Sequence, residues 1–421
     1  MKVVLALVSI VVIAGSGVSQ VQPAFFGMHV NKQTSMPVTV PIGSIRLWGT
    51  ATTWFQVCST SDYSQCDWRH LDGWLAAAKS NGISEVLYTF GKTPDWASSQ
   101  PQGDCWRGRP GVCYPPRDLT PDGGGPDNAF RGFVEAIVEH NQHLDLATYA
   151  RIKFWGIWNE PTAKLFWRGT TAQLVRMAKD ARQIIKNADP NALVLTPEPA
   201  ANSKNNAINF AGDWLDDYLA KGGGQYADVI AFHVYAYNNG NHPVPEDAVR
   251  IIEHVKAQLA RHPEVIGKPL WVTEGSWGKS DETNWGNTDE DSAAFLARYY
   301  VLMASEGIER IYWYSWDAPT GTLWANGNPL PVANAYREVH NWLIGRTVTN
   351  HFSKAHIWSC DIEASGYKGR IVWDEEYGKI TSYDAKSFSS YRSAAGEHGA
   401  IDQKAHSLPV GNKPVLLESP R

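Results

Sequence analysis

The sequence predicts an α/β fold, a closed (β/α)₈ TIM barrel followed by a small C-terminal antiparallel β domain. Three observations carry this prediction. Eight short apolar runs alternate with amphipathic helical stretches between residues 24 and 345. No Gly-rich phosphate loop follows the first run, although an open doubly wound sheet would favour one. After residue 346 the helical periodicity disappears, and short β-prone runs are separated by turn-prone stretches through residue 421.

The eight apolar runs are read as parallel strands, because near-continuous apolar sequence is typical of strands covered on both faces. Their helical connections end at clear stop signals, such as the Gly after "WRHLDGWLAAAKSN" and the Pro after "TAQLVRMAKDARQIIKNAD". In such a barrel the active site forms at the C-terminal ends of the strands. The predicted strands are residues 24–30, 43–49, 84–91, 151–160, 192–200, 227–237, 269–277 and 309–317.

The chain begins with "MKVVLALVSIVVIAGSGVSQ", in which one Lys precedes an apolar run from Val3 to Gly15. The run is short for a membrane span, which needs about 20 residues. The pattern therefore predicts a signal peptide over residues 1–19, cleaved after Ser19. An uncleaved anchor is the alternative. The signal predicts a secreted protein, either extracellular or periplasmic.

The chain has five cysteines, and in the oxidising compartment that a secreted protein enters cysteines can form disulfides. Cys58 and Cys66 are eight positions apart, as are Cys105 and Cys113, and each pair lies in a turn-rich stretch. Two local disulfides are expected, although four cysteines allow three pairings that the sequence does not distinguish. Cys360 is expected to be a buried free thiol.

The composition is that of an ordinary globular protein, with 43% hydrophobic and 19% charged residues. The formal net charge of -5 and the lack of any Lys/Arg block imply no nucleic-acid or membrane partner, and no protein partner is implied. No spacing of the H-x-x-x-H or C-x-x-C type predicts a metal, and no cofactor is expected. The unusual feature of the composition is its 19 Trp residues. Some of these rings are expected to line a carbohydrate cleft, since flat apolar faces stack on sugar rings.

Two glutamates end apolar strands, Glu160 in "FWGIWNEP" and Glu274 in "LWVTEGSW". The fourth and seventh strands of a barrel face each other across its mouth, so both carboxyls are expected in one cleft. Partial desolvation there would raise the pKa of Glu160, as a general acid requires. Two such carboxyls serve glycosidic-bond cleavage, with retention when they are about 5–5.5 Å apart and inversion at roughly 6.5–9.5 Å.

The motifs "WNEP", "HVY" and "TEG", at the fourth, sixth and seventh strand ends, together with a Trp at the eighth, resemble clan A of the glycoside hydrolases. The chain is most similar to glycoside hydrolase family 39, with family 5 close behind. The resemblance implies a retaining barrel enzyme with Glu160 as acid/base and Glu274 as nucleophile. Asn159 would hydrogen-bond the sugar 2-hydroxyl.

The resemblance also implies supporting residues around the two glutamates. Arg46 in "SIRLW" would keep the nucleophile ionised, and Tyr235 in "HVY" would hydrogen-bond it. Trp316 in "YSWD" would be the platform under the sugar. The hydroxyl of Tyr237 or Tyr314 is an alternative to that of Tyr235.

Two histidines and one further carboxylate are less certain candidates. His233 beside the "VY" pair and His29 at the end of the first strand are expected to line the substrate floor. Glu198 in "TPEPA" also ends a strand and is either a substrate-binding residue or an alternative acid.

The sequence therefore predicts a secreted, retaining glycoside hydrolase that cleaves a β-linked oligo- or polysaccharide by double displacement. An exo-acting β-xylosidase-like enzyme and a transglycosylase share all of these residues. A carbohydrate-binding protein on an inactive barrel is the alternative from another class. The long loop 104–125, with its expected disulfide, is expected to shape the substrate site.

Overall fold

The computed structural model describes residues 19–105, 108–204, 207–209, 214–236, 243–278, 289–402 and 404–419. All eight predicted strands are present as β1–β5 and β8–β10, and a hairpin of two further strands follows β5. The first ten strands are β1 (Phe26–His29), β2 (Ser44–Leu47), β3 (Glu85–Thr89), β4 (Ile152–Gly156), β5 (Leu193–Leu195), β6 (Ala200–Lys204), β7 (Ala207–Asn209), β8 (Ile230–Tyr235), β9 (Leu270–Ser276) and β10 (Ile308–Trp313).

Helices follow or lie between the strands, as the alternating pattern predicts. Helix α4 begins at a capping box, in which Thr170 accepts from the backbone N of Gln173, and the Gln173 side chain accepts from the Thr170 backbone N. The helices are α1 (Trp54–Val57), α2 (Arg69–Ser80), α3 (Asn128–His143), α4 (Thr171–Ala188), α5 (Trp214–Ala220), α6 (Asp247–Leu259), α7 (Asp289–Ser305) and α8 (Val332–Leu343).

The parallel strands form a closed barrel. The strand order is β5-β4-β3-β2-β1-β10-β9-β8, and the hairpin joins through a parallel pairing of β6 with β8. Closure between β5 and β8 is made by a bridge between Leu195 and Val229 and by the N–H of Asp228, which donates to the carbonyl of Val194 at 2.7 Å. The predicted barrel is therefore confirmed.

Strand register brings most of the candidate residues to one end of the barrel. Each register pair lies in the C-terminal half of its strands or just beyond their ends, towards the side of the barrel where active sites form. The pairs are His29 with Arg46, His233 with Glu274, and Asn159 with Glu198. Below them, the barrel interior is filled by a separate apolar cluster of Leu87, Phe154, Leu195, Val229, Ala231, Trp271 and Tyr312.

Both expected disulfides are present, Cys58–Cys66 and Cys105–Cys113, and Cys360 is a buried free thiol. The predicted signal peptide lies outside the described residues except for Ser19. In the part of the chain that is described, none of the helices combines the length and apolar character that crossing a membrane requires.

The C-terminal region is antiparallel β structure, as predicted. Its six-stranded sheet has the order β13-β14-β15-β20-β17-β18, and β16 pairs with β19. The predicted domain boundary at residues 345/346 and the sandwich-like character remain predictions. The strands after β10 are β11 (Trp324–Ala325), β12 (Asn328–Pro329), β13 (Thr347–Lys354), β14 (Ile357–Ala364), β15 (Tyr367–Asp374), β16 (Thr381–Asp384), β17 (Ser390–Ser393), β18 (His398–Ala400), β19 (Ser407–Val410) and β20 (Val415–Glu418).

The C-terminal sheet shares a core with the barrel. The Trp373 indole donates to Glu246 Oε1 at 2.7 Å, and Glu246 forms a buried ion pair with Arg298 of α7. The Tyr377 hydroxyl donates to the carbonyl of Pro243 at 3.0 Å. Sheet residues that belong to the main apolar core are Val348, Cys360, Ile362, Ile371, Trp373 and Leu416.

Candidate active site

The two predicted catalytic glutamates meet at the barrel mouth. Glu274 lies within β9 and is 7% exposed, whereas Glu160 follows β4 and its side chain is 17% exposed. One oxygen of each carboxyl lies within 4.8 Å of the other. Since carboxyls this close are normally separated by charge repulsion, the cations around them must hold the arrangement.

The backbone at Glu160 is in the left-handed region, with φ of 41°, which is uncommon for a residue with a side chain. Two hydrogen bonds hold it there: the Glu160 N–H donates to the carbonyl of Glu198 at 3.0 Å, and the Glu198 N–H donates to the carbonyl of Trp158 at 2.8 Å. Pro161 then ends the extended segment. Backbone strain of this kind is typical of functional positions.

Arg46 is the central cation of the site and is fully buried. Its Nη1 donates to Glu274 Oε2 at 2.7 Å, and its Nη2 donates to Asn159 Oδ1 at 2.7 Å and also to Glu198 Oε2. Burial alone would lower the pKa of Arg46, but the charges of Glu198 and Glu274 raise it above its ordinary value. The guanidinium is therefore a permanent positive charge beneath the two strand ends.

His233 lies between the carboxyls of Glu160 and Glu274. Its Nδ1 is 2.9 Å from Glu160 Oε1 and 3.9 Å from Glu274 Oε2, and its Nε2 is 3.5 Å from Glu198 Oε2. Burial would lower the pKa of His233, but the surrounding carboxylates raise it from 6.5 to about 9. At neutral pH the ring is therefore a cation that donates to Glu160.

Glu160, His233 and Glu274 are also close enough to be considered as metal ligands. A ligating histidine must be neutral, because the metal takes the lone pair that a proton would occupy. In this structure His233 instead pairs with both carboxyls.

Glu274 is held in its ionised form. Burial raises its pKa, but His233, Arg46 and the Tyr235 hydrogen bond together lower it below the ordinary value. The Tyr235 hydroxyl donates to Glu274 Oε1, as predicted. The Tyr314 hydroxyl instead lies 3.5 Å from Asn31 Oδ1. The other alternative donor, Tyr237, lies outside the described residues.

Four of the predicted site residues are fully buried, namely Arg46, His233, Trp316 and His29. The expected role of Arg46 beside the nucleophile does not depend on exposure, but the expected substrate contact of the other three is corrected. Arg46 and His233 contact the glutamates from below, so they position the carboxyls and do not line an open surface. Trp316 and His29 are also 0% exposed, and the backbone N–H of Trp316 donates to the His29 carbonyl at 2.9 Å.

The correction is clearest for Trp316, because a sugar platform must present an open ring face. Its indole donates to the carbonyl of Ser35 at 3.1 Å and its ring lies over Trp324 at 6.4 Å, so it packs under a loop. The neighbouring Tyr314 is half-buried and its ring is 4.7 Å from that of His29. Burial raises the pKa of Tyr314, and so does the charge of nearby Glu274. Tyr314 is thus a second half-buried aromatic residue near Glu274, besides Tyr235.

His29 is a neutral ring in this arrangement. Its pKa is lowered from 6.5 to about 4, first by burial and then by the Arg46 charge. It therefore adds bulk beneath Tyr314 and no charge, and its predicted contact with substrate is not supported.

Glu198 is a buried carboxylate beneath the site and is 0% exposed, so it cannot be an alternative acid or reach the substrate. Besides Arg46 and His233 it accepts from the Thr89 hydroxyl at 2.9 Å. A Cβ on Gly156 would lie 2.2 Å from Glu198 Oε1, so glycine at that position makes room for it. Thr89 was missed in the sequence, since a lone Thr at a strand end carries no distinctive signal.

Comparisons with known proteins bear on the family and the fold. Residues 148–336 match the family model of the glycosyl hydrolase catalytic core. The fold is similar to a family 39 glycoside hydrolase from the gut symbiont Bacteroides cellulosilyticus WH2, with a TM-score of 0.69, 16% identity, and coverage of 95% of this chain and 81% of that chain. It is also similar to the family 39 enzyme from Xanthomonas axonopodis pv. citri, with a TM-score of 0.61, 14% identity and 96% coverage of both chains.

A family 30 endoxylanase from Clostridium papyrosolvens C71 is similar as well, with a TM-score of 0.61, 13% identity, and coverage of 96% of this chain and 98% of that chain. A comparison of the sequence with curated proteins finds no match. At these identities the solved structures show the fold. Together with the family model they confirm the predicted resemblance to the glycoside hydrolases and the prediction that the chain is a glycosidase.

Proposed function

We propose that the chain is a secreted, retaining glycoside hydrolase that cleaves a β-linked oligo- or polysaccharide by double displacement. The observation that carries this proposal is the separation of the catalytic pair, with one oxygen of Glu160 and one of Glu274 within 4.8 Å. This bound lies nearer to the separation of about 5–5.5 Å in retaining enzymes than to the roughly 6.5–9.5 Å of inverting enzymes.

In the first step Glu274 is the nucleophile. Its carboxylate attacks the anomeric carbon, the glycosidic C–O bond breaks, and Glu160 transfers its proton to the leaving oxygen. Arg46 and Tyr235 keep Glu274 ionised and oriented, as their hydrogen bonds and its lowered pKa indicate. The product of this step is a covalent glycosyl-enzyme.

In the second step Glu160 acts as a base. It takes a proton from water, the water oxygen attacks the anomeric carbon, and the bond to Glu274 breaks. Because Glu160 Oε1 is bonded to His233, the other oxygen is available to exchange the proton. His233 therefore positions the acid/base residue for both steps.

Asn159 and Tyr314 are the proposed substrate contacts near the reacting carbon. Asn159 is 1% exposed and its Oδ1 is occupied by Arg46, so its amide nitrogen is the one group left to donate to a sugar hydroxyl, for which the 2-hydroxyl is our assignment. The half-buried ring of Tyr314 supplies the stacking surface that Trp316 cannot.

Secretion and a polymeric substrate have separate support. Two disulfides fit an oxidising compartment. An endoxylanase among the similar folds fits a β-linked chain as substrate. A sugar-binding protein on an inactive barrel is disfavoured, because mere binding gives no reason to hold Glu274 ionised beside a second carboxyl.

The test is release of reducing sugar from β-linked polysaccharides and aryl β-glycosides by the wild type, Glu160→Ala and Glu274→Ala. Glu253→Ala, which alters an exposed glutamate on α6, is the matched control. We expect both catalytic variants to lose about 10³-fold or more, roughly 4 kcal/mol of transition-state stabilisation, and the control to keep its rate.

Added azide identifies the role of each glutamate. It should give a β-azide with Glu160→Ala, where it replaces water on the glycosyl-enzyme, and an α-azide with Glu274→Ala, where it replaces the nucleophile. Near-full activity in either variant would show that the catalytic pair is wrongly assigned.

A further inference from the structure

A cavity of about 610 Å³ lies along the segment that follows the proposed acid/base residue. Its wall begins at Pro161 and Thr162, the two residues that follow Glu160, and continues along the segment leading to α4. The opposite walls come from the disulfide-bonded loop, through Tyr114, and from α5, through Trp214. A cavity of this size lies within the usual range for ligand sites, about 300–1,000 Å³.

Two exposed cations line this cavity, Lys164 and Arg168. Neither has a carboxylate within ion-pair distance among the residues that the structure describes. The one lining acid, Asp217, already accepts from Lys221 and from the Thr171 hydroxyl. The cavity therefore offers positive charge that the protein itself does not neutralise, in a chain whose net charge is -5.

Arg168 is held in place at the cavity wall. Its backbone N–H donates to the carbonyl of Cys113 at 2.7 Å, and its side-chain Nε donates to the carbonyl of Lys164 at 3.2 Å. Its guanidinium lies 5.7 Å from the centre of the Tyr114 ring. The Cys105–Cys113 disulfide fixes the loop that supplies two of these contacts. A cation ordered in this way loses less entropy when it binds an anion.

Aromatic surface accompanies the charge. Tyr114 and Trp214 are half-buried, and Trp214 is stacked on Tyr218 with ring centres 5.4 Å apart. Flat aromatic rings beside cations suit a sugar ring that carries a carboxylate, because the ring can stack while the carboxylate pairs with the cation.

The positive surface continues away from Glu160. A second cavity of about 760 Å³ shares Thr170 and Thr171 with the first and adds Lys179, which is exposed and likewise has no carboxylate partner within the described part of the chain. Arg176 in the same wall is already paired with Asp180 at 2.8 Å. We call these two adjoining cavities the groove. Three available cations line it, together with one exposed acid, Asp122, which accepts from the Thr120 hydroxyl and the Gly124 N–H.

We propose that this groove binds the leaving-group side of an acidic polysaccharide, a β-linked chain that bears uronate residues. The inference rests on the proposed function, because Glu160 protonates the leaving oxygen and the groove begins at the residues next to it. Uronate carboxylates would pair with Lys164 and Arg168 first, and with Lys179 further along the chain.

The test compares acidic β-linked polysaccharides, namely glucuronoxylan, polyglucuronate and polymannuronate, with their carboxyl-reduced forms, which differ only in charge. For the wild type and Lys164→Gln/Arg168→Gln, kcat/KM is measured on the acidic and the reduced form of each polysaccharide, in low and in high salt. Binding of the same polysaccharides is measured, also in low and in high salt, with both proteins carrying the additional substitution Glu160→Gln. An aryl β-glycoside, which has no second sugar, is assayed in parallel. Lys79→Gln/Lys386→Gln removes two exposed cations elsewhere and is the matched control.

We expect the wild type to favour at least one acidic form by about 5- to 10-fold, as two partly exposed ion pairs would give. High salt and Lys164→Gln/Arg168→Gln should both remove this preference, with the aryl glycoside rate unchanged. Equal use and equal binding of acidic and reduced chains, with Glu160-dependent aryl glycoside hydrolysis intact, would overturn the inference and leave the proposed function standing. Absence of all hydrolysis would instead count against the proposed function, and the binding comparison would still decide whether the groove selects uronates.

Discussion

Replacement of Arg46 by methionine tests the charge balance of the site most directly. Arg46→Met removes the donor 2.7 Å from Glu274 Oε2 while keeping most of the side-chain volume. At this distance and an effective dielectric constant of about 20, the attraction between the two charges is about 6 kcal/mol. This is an upper limit, because His233 remains 3.9 Å from the same oxygen and water can enter the space.

The expected shift is smaller and has a definite sign. Arg46 lowers the pKa of Glu274 through its positive charge, so its removal raises that pKa. The acid limb of kcat/KM reports the base of the free enzyme. On an aryl β-glycoside this limb should therefore move to higher pH, and the loss of kcat/KM should be largest on the acid side of the profile.

Stability gives an independent readout of the same change. Arg46→Met also leaves Glu198 buried without its main cation, which should cost about 3–5 kcal/mol. Arg46→Met/Glu198→Gln should recover part of the lost melting temperature, because the uncompensated charge is gone. Arg69→Met, at an exposed ion pair, is the control and should change neither property. An acid limb that stays in place in Arg46→Met would refute the role of Arg46 in ionising the nucleophile.

Four further outcomes are expected. The pKa of His233 is raised from 6.5 to about 9, so its charge stabilises the fold fully below pH 6.5 and is lost as the pH rises through 9; the melting temperature should fall over this window, and less so in His233→Gln. Tyr235→Phe should lower kcat/KM on an aryl glycoside by about 10- to 100-fold through loss of the bond to the nucleophile, and an unchanged rate would remove that role. Tyr314→Ala should raise KM, whereas an unaltered KM would leave the platform unassigned. Burial raises the pKa of the Cys360 thiol, so a thiol reagent at pH 8 should label it only after denaturation, as mass spectrometry would show.

The barrel and the two glutamates could be predicted from the sequence because both depend on local patterns. Apolar runs alternating with amphipathic helices specify the eight strands. Glu160 and Glu274 then follow from their position at strand ends, which topology places on the same side of the barrel. The observed β4 and β5 end earlier than predicted, since the chain turns to build the site beyond Gly156 and Leu195.

The depth of each side chain could not be predicted, because it depends on contacts between distant segments. Trp316 and Tyr314 are two positions apart, but β10 ends at Trp313, so strand alternation no longer fixes which ring faces the cleft. Glu198 is buried by its bridge to Asn159 and by Arg46 from β2. These pairings arise only when the barrel closes.

The bond between Trp373 and Glu246 has a consequence for how this enzyme can evolve and be engineered. A chain shortened to end before Thr347 would expose the apolar face that the sheet covers and would leave the Arg298–Glu246 pair open to water. The barrel is thus not an independent folding module that can be moved between proteins by itself. Any transfer of the catalytic barrel to another protein should include the C-terminal sheet. The barrel and the sheet are therefore expected to be inherited together.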